Sequence, residues 1–240
     1  MLCDVPVTAI DERGALQRLP AMRRRPGRHR GRVGVGWQAQ TPAFLPAMTD
    51  VLSPFDDPAT TAGVVASTQR WLERAVIGLN LCPFAKAVHV RKQIRYAVTA
   101  ATTAEELLAE LRHELELLGQ ANPEVVETTL LIHPQAMTDF IDFHFFLKEA
   151  DAALRSLGHE GSLQIASFHP AYEFAGSAPD DIANCTNRSP HPTLHLLREA
   201  SIDRAVAAFP DAAAIYERNI ETLRRLGHEG WRGLWTPDAG

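Results

Sequence analysis

The residues with the most chemical potential lie in one long polar segment, which runs from Phe168 to His195 and reads FHPAYEFAGSAPDDIANCTNRSPHPTLH. It combines aromatic rings, carboxylates, an arginine and three histidines. Loops longer than about 12–15 residues in a compact domain are usually functional or disordered. The mixture of reactive and polar side chains favours function, so the sequence predicts a site at this segment.

Two histidines stand where an apolar stretch ends and a proline follows, in His133-Pro134 and His169-Pro170. If the two stretches are parallel strands, both imidazoles emerge at the same sheet edge. An imidazole placed there could act as a general acid or base at neutral pH. In the alternative interpretation, each histidine only hydrogen-bonds the loop that follows it.

The turn Asn187-Arg188-Ser189-Pro190 offers a guanidinium, a hydroxyl and main-chain amides. These are the components of a clamp for an anion or a carboxylate. We therefore predict ligand binding by Asn187, Arg188 and Ser189, with Tyr172 as a pocket wall. In the alternative, Arg188 pairs with a carboxylate of the same loop and ties the loop to itself.

Cys82 lies in the string Asn80-Leu-Cys-Pro-Phe-Ala, close in sequence to Lys86 and Arg91. A cysteine near cationic side chains has more thiolate and can serve as a nucleophile or a redox thiol. Asn80 would then assist in binding. The competing interpretation is a buried structural cysteine, because free cysteine is among the most buried residue types.

The sequence predicts neither a metal nor a cofactor. His169, Cys185, His191 and His195 have the side chains of zinc ligands, but their spacing matches no closed zinc pattern. No Walker A, GxGxxG, HExxH, GxSxG or EF-hand string occurs. ATP, dinucleotide and serine-hydrolase chemistry therefore have no positive support.

Charge is distributed unevenly along the 240 residues, whose net charge is −5. Residues 1–47 carry eight arginines against three acidic residues, whereas residues 48–240 carry 16 basic against 26 acidic residues. An acidic body is a poor nucleic-acid binder, because phosphate contacts need clustered basic side chains. The three scattered cysteines favour a reducing cytoplasm. No apolar run approaches the ~20 residues that cross a bilayer.

The first 47 residues have no apolar periodicity and cannot bury a face. We predict that residues 1–47 are a disordered or non-native extension, that translation starts at Met48, and that residues 58–236 form one domain.

Hydrophobic periodicity predicts an α/β domain from residue 58 onward. Strands are expected at 93–99, 127–132 and 163–168. Helices are expected at about 60–79, from a capping box at 103–106, at 138–157, 193–199, 202–208 and 212–226. Strands joined through helices pair in parallel. The expected fold is a small layered domain with a mainly parallel sheet of about three strands flanked by helices, plus C-terminal helices. Ligands in such folds bind beyond the carboxyl ends of the strands.

Four motifs together resemble the bacterial family known as domain of unknown function 1415. They are WLERAVIGLNLCPFAKAV (71–88), ETTLLIHP (127–134), SFHPAYEFAG (167–176) and TNRSPHPTLHLLREAS (186–201). The resemblance extends over roughly residues 60–235. It implies a bacterial cytoplasmic protein and supplies no activity. It also implies aromatic residues at the positions of Cys185 and His191, which further weakens a metal site.

The sequence therefore favours a small enzyme that acts on an anionic small molecule at the C-terminal edge of the sheet. His133 and His169 would exchange protons, and Cys82 would be the nucleophile. Two alternatives stay open, namely a binding or assembly module that meets a protein partner through the 168–195 loop and a thiol-redox protein that uses Cys82.

Overall fold

Four strands form a single sheet in the computed structural model, which describes residues 60–207 and 214–235. The strands are β1 (Ile94–Val98), β2 (Thr128–Ile132), β3 (Leu163–Phe168) and β4 (Thr193–Arg198). The extension predicted over residues 1–47 and the start predicted at Met48 lie outside the described residues. The α/β class and the three expected strands are confirmed, and the sheet gains a fourth strand.

The spatial order of the sheet is β1-β2-β4-β3. β1 and β2 pair in parallel, and β4 pairs antiparallel with both β2 and β3. β1, β2 and β3 consequently point the same way, although β2 and β3 do not touch as neighbours. The sheet is mixed because β4 returns between them in the opposite direction.

The helix that the sequence predicts at 193–199 is wrong, because Thr193–Arg198 is strand β4. Leu194 and Leu196 are fully buried on one face, while Thr193 and His195 are buried on the other. Thr193 to Leu196 alternate polar and apolar residues as a strand does, but Leu197 breaks the alternation after four residues. Periodicity alone cannot separate such a run from a short buried helix.

One face of the sheet packs against α3 (Ala104–Gln120) and α4 (Phe140–Ser156). The predicted capping box of α3 is confirmed, since the Thr103 hydroxyl accepts from the Glu106 amide at 3.2 Å. Leu107, Leu111, Leu115 and Leu118 form a buried stripe along α3. Burial of that leucine stripe fixes α3 to the sheet.

The opposite face is covered by α1 (Thr61–Trp71), whose first turn is capped by Thr60. Trp71 packs edge-on against Phe168 of β3 at 5.2 Å between ring centroids. α1 continues directly into a six-residue π-helix, Leu72–Ile77. The short helix α2 (Ala85–Val90) follows. Single-turn π segments in α-helices are often found next to functional sites.

Two helices follow β4, namely α5 (Glu199–Ala207) and α6 (Ala214–Gly233). α6 is kinked at Gly227, whose φ is +67°, and α4 ends at Gly158, whose φ is +75°. Both glycines belong to the near-repeated octets LRSLGHEG and LRRLGHEG. Gly158 therefore follows the end of α4 and Gly227 kinks α6, which continues to Gly233, and both adopt the left-handed region, where glycine carries no Cβ penalty.

Arg95 of β1 makes a bidentate ion pair with Glu114 of α3, with both N–O distances at 2.8 Å. The Glu114 side chain is 4% exposed and that of Arg95 is 43% exposed. We expect Arg95→Met to lower the free energy of unfolding by about 2 kcal/mol, because it leaves a buried carboxylate unpaired. Urea denaturation measures this. Arg95→Met/Glu114→Leu should recover most of the loss, and a double variant as unstable as the single one would contradict the explanation.

Candidate functional site

His133 and His169 follow β2 and β3 directly and lie at the same sheet edge on either side of β4. Their main-chain amides extend the strand pairing, since His133 donates to the Pro192 carbonyl and His169 to the Asn187 carbonyl. Both side chains are buried. Phe143 of α4 lies between them, with ring centroids 5.6 Å from His133 and 5.3 Å from His169. We call His133, Phe143 and His169 the strand-end cluster.

Hydrogen bonds fix the protonation of both imidazoles. His169 Nδ1 accepts from the Ala171 amide at 3.0 Å, so its Nε2–H donates to the Met137 carbonyl at 3.2 Å. His133 Nδ1–H donates to the Ala136 carbonyl at 2.9 Å, while its buried Nε2 has no hydrogen-bond partner. Burial, with a smaller effect of nearby His169, lowers the pKa of His133 to about 4. Burial also lowers the pKa of His169. Both rings are thus neutral at physiological pH.

The predicted anion clamp donates its hydrogen bonds to main-chain carbonyls of the same region. Arg188 donates from Nε to Tyr172 O at 3.2 Å and from Nη2 to Pro179 O at 2.7 Å. Ser189 Oγ donates to His191 O at 2.6 Å, and Asn187 Nδ2 to Ser167 O at 3.3 Å. These bonds fold the 169–192 connection onto itself.

Aromatic contacts anchor the same connection to the helices. Tyr172 packs against Phe140 of α4 at 5.2 Å and against Phe174 at 5.1 Å between centroids. Phe174 in turn meets Tyr216 of α6 at 6.0 Å. Such pairs add about 0.5–1.5 kcal/mol each beyond area burial. The long connection is therefore a folded cover over the strand ends.

Cys82 lies at the opposite edge of the sheet. Asn80, exposed and with φ at +54°, turns the chain after the π-helix and places the buried Cys82 just before α2. A strand rises about 3.3 Å per residue, so the two ends of β2 are about 13 Å apart. The structure thus brings His133 and His169 together but does not bring Cys82 to them.

Cys82 lines a groove of about 930 Å³ at the edge where β1, β2 and β3 begin. Its base includes Gln93 before β1, Thr128 at the start of β2 and Arg198 at the end of β4. Its walls come from α2 and α5, with Phe84 and Val88 among the apolar residues. We call this cavity the strand-start groove. Its size suits a small ligand, since such pockets measure about 300–1,000 Å³.

His195 places an unpartnered acceptor in the wall of the strand-start groove. Thr128 Oγ1 donates its single proton to the Leu196 carbonyl at 2.6 Å, so His195 Nε2 must donate to that hydroxyl. The lone pair of His195 is consequently on Nδ1, which is buried and has no hydrogen-bond partner. Burial lowers the pKa of His195 to about 3, which keeps Nδ1 an acceptor.

Gln93 and Arg198 add two more buried polar atoms without a partner. Gln93 Nε2 donates to the carbonyls of Pro123 and Glu124, which fixes the amide orientation and leaves Oε1 unpartnered. Arg198 Nη2 donates to the carbonyls at the end of α3 and just beyond, while Nε has no partner. Most buried polar groups in proteins find a partner, so three exceptions among the residues that line one groove call for an explanation.

Charged side chains surround the strand-start groove. Arg91 and Arg204 are exposed, and Arg204 lies 3.6 Å from the largely buried Glu127 carboxylate. Arg198 completes a group of three guanidiniums that line the groove, against Glu124 and Glu127. This part of the acidic body is therefore locally basic.

The four residues with zinc-ligand side chains are dispersed. His195 bonds Thr128, His191 Nε2 lies 2.9 Å from Ser67 Oγ, and burial raises the pKa of Cys185 to about 11. Across residues 60–207 and 214–235, no group of three or more histidines, cysteines or carboxylates could hold a metal ion. Among the same residues, no helix is both long and apolar enough to cross a bilayer.

Sequence reasoning missed the roles of Gln93, His195 and Arg198. The sequence suggests His195 only as a metal ligand within an expected helix. It gives no indication that Gln93 or Arg198 lines a site. Their unpartnered atoms emerge only when strands β1, β2 and β4 are assembled side by side. In the sequence, Gln93-Ile94 looks like the start of an ordinary strand, and Leu196-Leu197-Arg198 looks like the end of one.

Fold and site define a small mixed α/β domain that has a ligand-sized groove at one sheet edge and a folded loop at the other. Residues 63–233 match the sequence profile of the family described as "Protein of unknown function (DUF1415)". The chain belongs to this family, as the motifs in the sequence predicted. Comparisons with curated proteins and with solved structures found no match.

The buried neutral histidines predict acid sensitivity. Unfolded histidine titrates near 6.5, whereas His133 and His195 titrate near 4 and 3 in the fold. Between these values the unfolded chain binds more protons, so stability falls as pH falls below 6.5. At pH 5 each histidine should cost about 2 kcal/mol relative to pH 7.5. Urea denaturation at pH 7.5, 6 and 5 tests this. His195→Gln should flatten the pH dependence and exposed His113→Gln should not. Equal slopes in all three proteins would refute the assignment.

Proposed function

We propose that this protein binds a small anionic molecule in the strand-start groove. The observation that carries the proposal is the presence of three buried polar atoms without partners in side chains that line the groove, namely His195 Nδ1, Gln93 Oε1 and Arg198 Nε. An unpartnered buried polar atom costs about 1–3 kcal/mol. A ligand that bonds these atoms would offset that cost, which is a physical reason for the groove to be a binding site.

The local charge supports an anion as the ligand. Arg198 is half-buried and uses Nη2 on carbonyls, so its charge has no carboxylate within hydrogen-bonding distance. Arg91 and Arg204 stand at the groove as well. Guanidiniums bind carboxylates and phosphates through short charge-assisted hydrogen bonds. The anionic ligand expected from the sequence is retained in the proposal, but it is located at the opposite sheet edge.

The polar wall also restricts the rest of the ligand. His195 Nδ1 and Gln93 Oε1 are both acceptors with fixed orientation, so the ligand must present N–H or O–H donors to them. Phe84, Val88 and the apolar residues of α5 suit an apolar portion. The ligand is therefore an anion with hydrogen-bond donors and an apolar body, and its chemistry resembles that of the small acids common in metabolism.

The strand-end cluster and the Arg188 turn supply weaker support for a site. The donors of the Arg188 turn already bond main-chain carbonyls. Three aromatic contacts hold the 169–192 connection over the strand ends. A role there as an acid–base site or a docking surface would require the cover to open.

Filling the groove should abolish binding. Val88 lines the strand-start groove, whereas Val90 of the same helix is 69% exposed and does not. We expect Val88→Trp to weaken binding of small anions by at least about tenfold, and Val90→Trp to leave it unchanged. Calorimetry or thermal shift would use small carboxylates and phosphate esters, each paired with its neutral amide or alcohol.

Two outcomes would contradict the proposal. One is equal binding of anions by the Val88→Trp and Val90→Trp proteins, which would place the ligand elsewhere. The other is equal binding of each anion and its neutral partner, which would remove the role of the guanidiniums. Arg91→Gln should in addition reduce both the affinity and its dependence on salt.

A further inference from the structure

We propose that His159 is a ligand-contacting residue of the strand-start groove and that its imidazole donates a hydrogen bond to the anionic group of the ligand. The proposal rests on the proposed function, because the anion must enter the same groove. It deepens that function by assigning a contact with the ligand to one side chain whose ring is open to the groove.

The histidine belongs to one of the two near-identical octets. LRSLGHEG at 154–161 and LRRLGHEG at 223–230 each place a histidine directly after a left-handed glycine. His159 of the first octet is half-buried and lines the strand-start groove, whereas His228 of the second octet is exposed and does not line it. The two histidines therefore share a sequence context and differ in their surroundings, which makes His228 a matched control.

Hydrogen bonds hold the main chain of His159 in place. Its amide donates to the Leu154 carbonyl of α4 at 3.1 Å. Its carbonyl accepts from the amides of Ser162 and Leu163 at 3.0 Å and 2.9 Å, and from the Ser162 hydroxyl at 2.9 Å. The turn between α4 and β3 therefore gives His159 a defined position at the groove.

The imidazole of His159 lies directly against α3 at Gly119, which also lines the groove. A Cβ atom at position 119 would lie 2.6 Å from His159 Cε1 and 3.2 Å from Nε2, so an alanine there would push the ring away. Glycine inside a helix is less stable than alanine. The missing Cβ leaves room for the ring, so packing against α3 sets the orientation of the imidazole.

The ring nitrogens of His159 make no hydrogen bond or ion pair with the residues that the structure describes. Four other histidines each have a ring nitrogen within hydrogen-bonding distance of a protein atom, namely His133, His169, His191 and His195. The His159 side chain is half-buried, and its nitrogens are not among the fully buried polar atoms without partners. A neutral imidazole carries one N–H donor and one acceptor, and His159 offers both to a molecule in the groove.

The start of α5 adds further donors beside this ring. The Glu199 amide donates to the Ser162 carbonyl at 2.9 Å, so the turn that carries His159 lies against the start of α5. Ser201 and Arg204 of α5 line the same groove. Arg204 Nη2 donates to Ser201 Oγ at 2.9 Å, which leaves the hydroxyl proton available to a ligand. An imidazole, a hydroxyl and a guanidinium are donors that suit the oxygens of a carboxylate or a phosphate.

The test measures binding of phenylacetate and phenyl phosphate to the full chain by calorimetry. We expect the wild-type protein to bind at least one of these anions. His159→Ala should weaken that binding by at least about tenfold, and the matched change His228→Ala should leave it unchanged. In NMR spectra of histidine-labelled protein, the ring signals of His159 should shift when the anion is added, whereas those of His228 should not.

Gly119→Ala tests how the ring is positioned. The added methyl group should displace the imidazole and weaken anion binding, although residue 119 itself contributes no polar side chain. In the His159→Ala protein, the same change should leave the affinity unaltered and raise the midpoint of thermal unfolding, because alanine favours the helix and the clash is gone. A further loss of affinity in this double variant would contradict the positioning role of Gly119.

Equal anion binding by the wild-type and His159→Ala proteins, an equal loss in His228→Ala, or unshifted His159 ring signals with the anion bound would overturn the inference. Circular dichroism establishes that each variant is folded, and if His159→Ala is not, the ring signals of the wild-type protein decide. If binding is sensitive to Val88→Trp but not to His159→Ala, only this inference fails. If neither anion binds, or Val88→Trp leaves binding unchanged, the proposed function fails with it.

Discussion

The antiparallel return of β4 between β2 and β3 is the constraint on which the other features of this fold depend. β4 hydrogen-bonds to both neighbours along its length, so it joins β3 to the rest of the sheet. Because β3 and β4 run in opposite directions, the chain must turn back at the strand-end edge, and residues 169–192 form that connection. β4 ends at the strand-start edge, so His195 and Arg198 line the groove. α5 begins directly after β4 and forms a wall of the groove. A parallel fourth strand would have placed these groups at the opposite edge.

Buried polar groups at the two sheet edges differ in their hydrogen bonding and in whether a cavity lies beside them. At the strand-end edge, the donors of Asn187, Arg188 and Ser189 meet main-chain carbonyls, which gives the long connection a defined structure without a regular element. Burial of backbone and side-chain polar groups is tolerated there because they are paired. At the strand-start edge, an acceptor of His195, an acceptor of Gln93 and a donor of Arg198 are left without partners. His133 Nε2 and Thr186 Oγ1 at the strand-end edge also lack partners, but the unpartnered atoms at the strand-start edge belong to side chains that line a cavity.

The local conformation around Cys82 links the first helix to that recognition edge. The π-helix Leu72–Ile77 and the left-handed Asn80 end the helical run and turn the chain toward α2 within a few residues. Left-handed backbone costs little for asparagine, whose short polar side chain tolerates it. Trp71 meanwhile holds the preceding helix to Phe168 of β3. The same stretch therefore closes one face of the sheet and positions a thiol at its edge.

The sequence by itself determined the elements whose signals are local. The caps at Thr60 and Thr103, the leucine stripe of α3, the glycine that ends α4, and strands β1 to β3 all follow from nearest-neighbour chemistry and periodicity. The motifs also determined the family. Only the tertiary structure decided that Thr193–Arg198 is a strand, because an alternation of four residues is too short to separate a strand from a short buried helix. Only the tertiary structure located the groove, because Gln93 Oε1 comes from a segment that is about 100 residues away in sequence from His195 Nδ1 and Arg198 Nε of β4. Whether such atoms have partners depends on what lies beside them in space, and that is settled by strand order and direction, which no local pattern encodes.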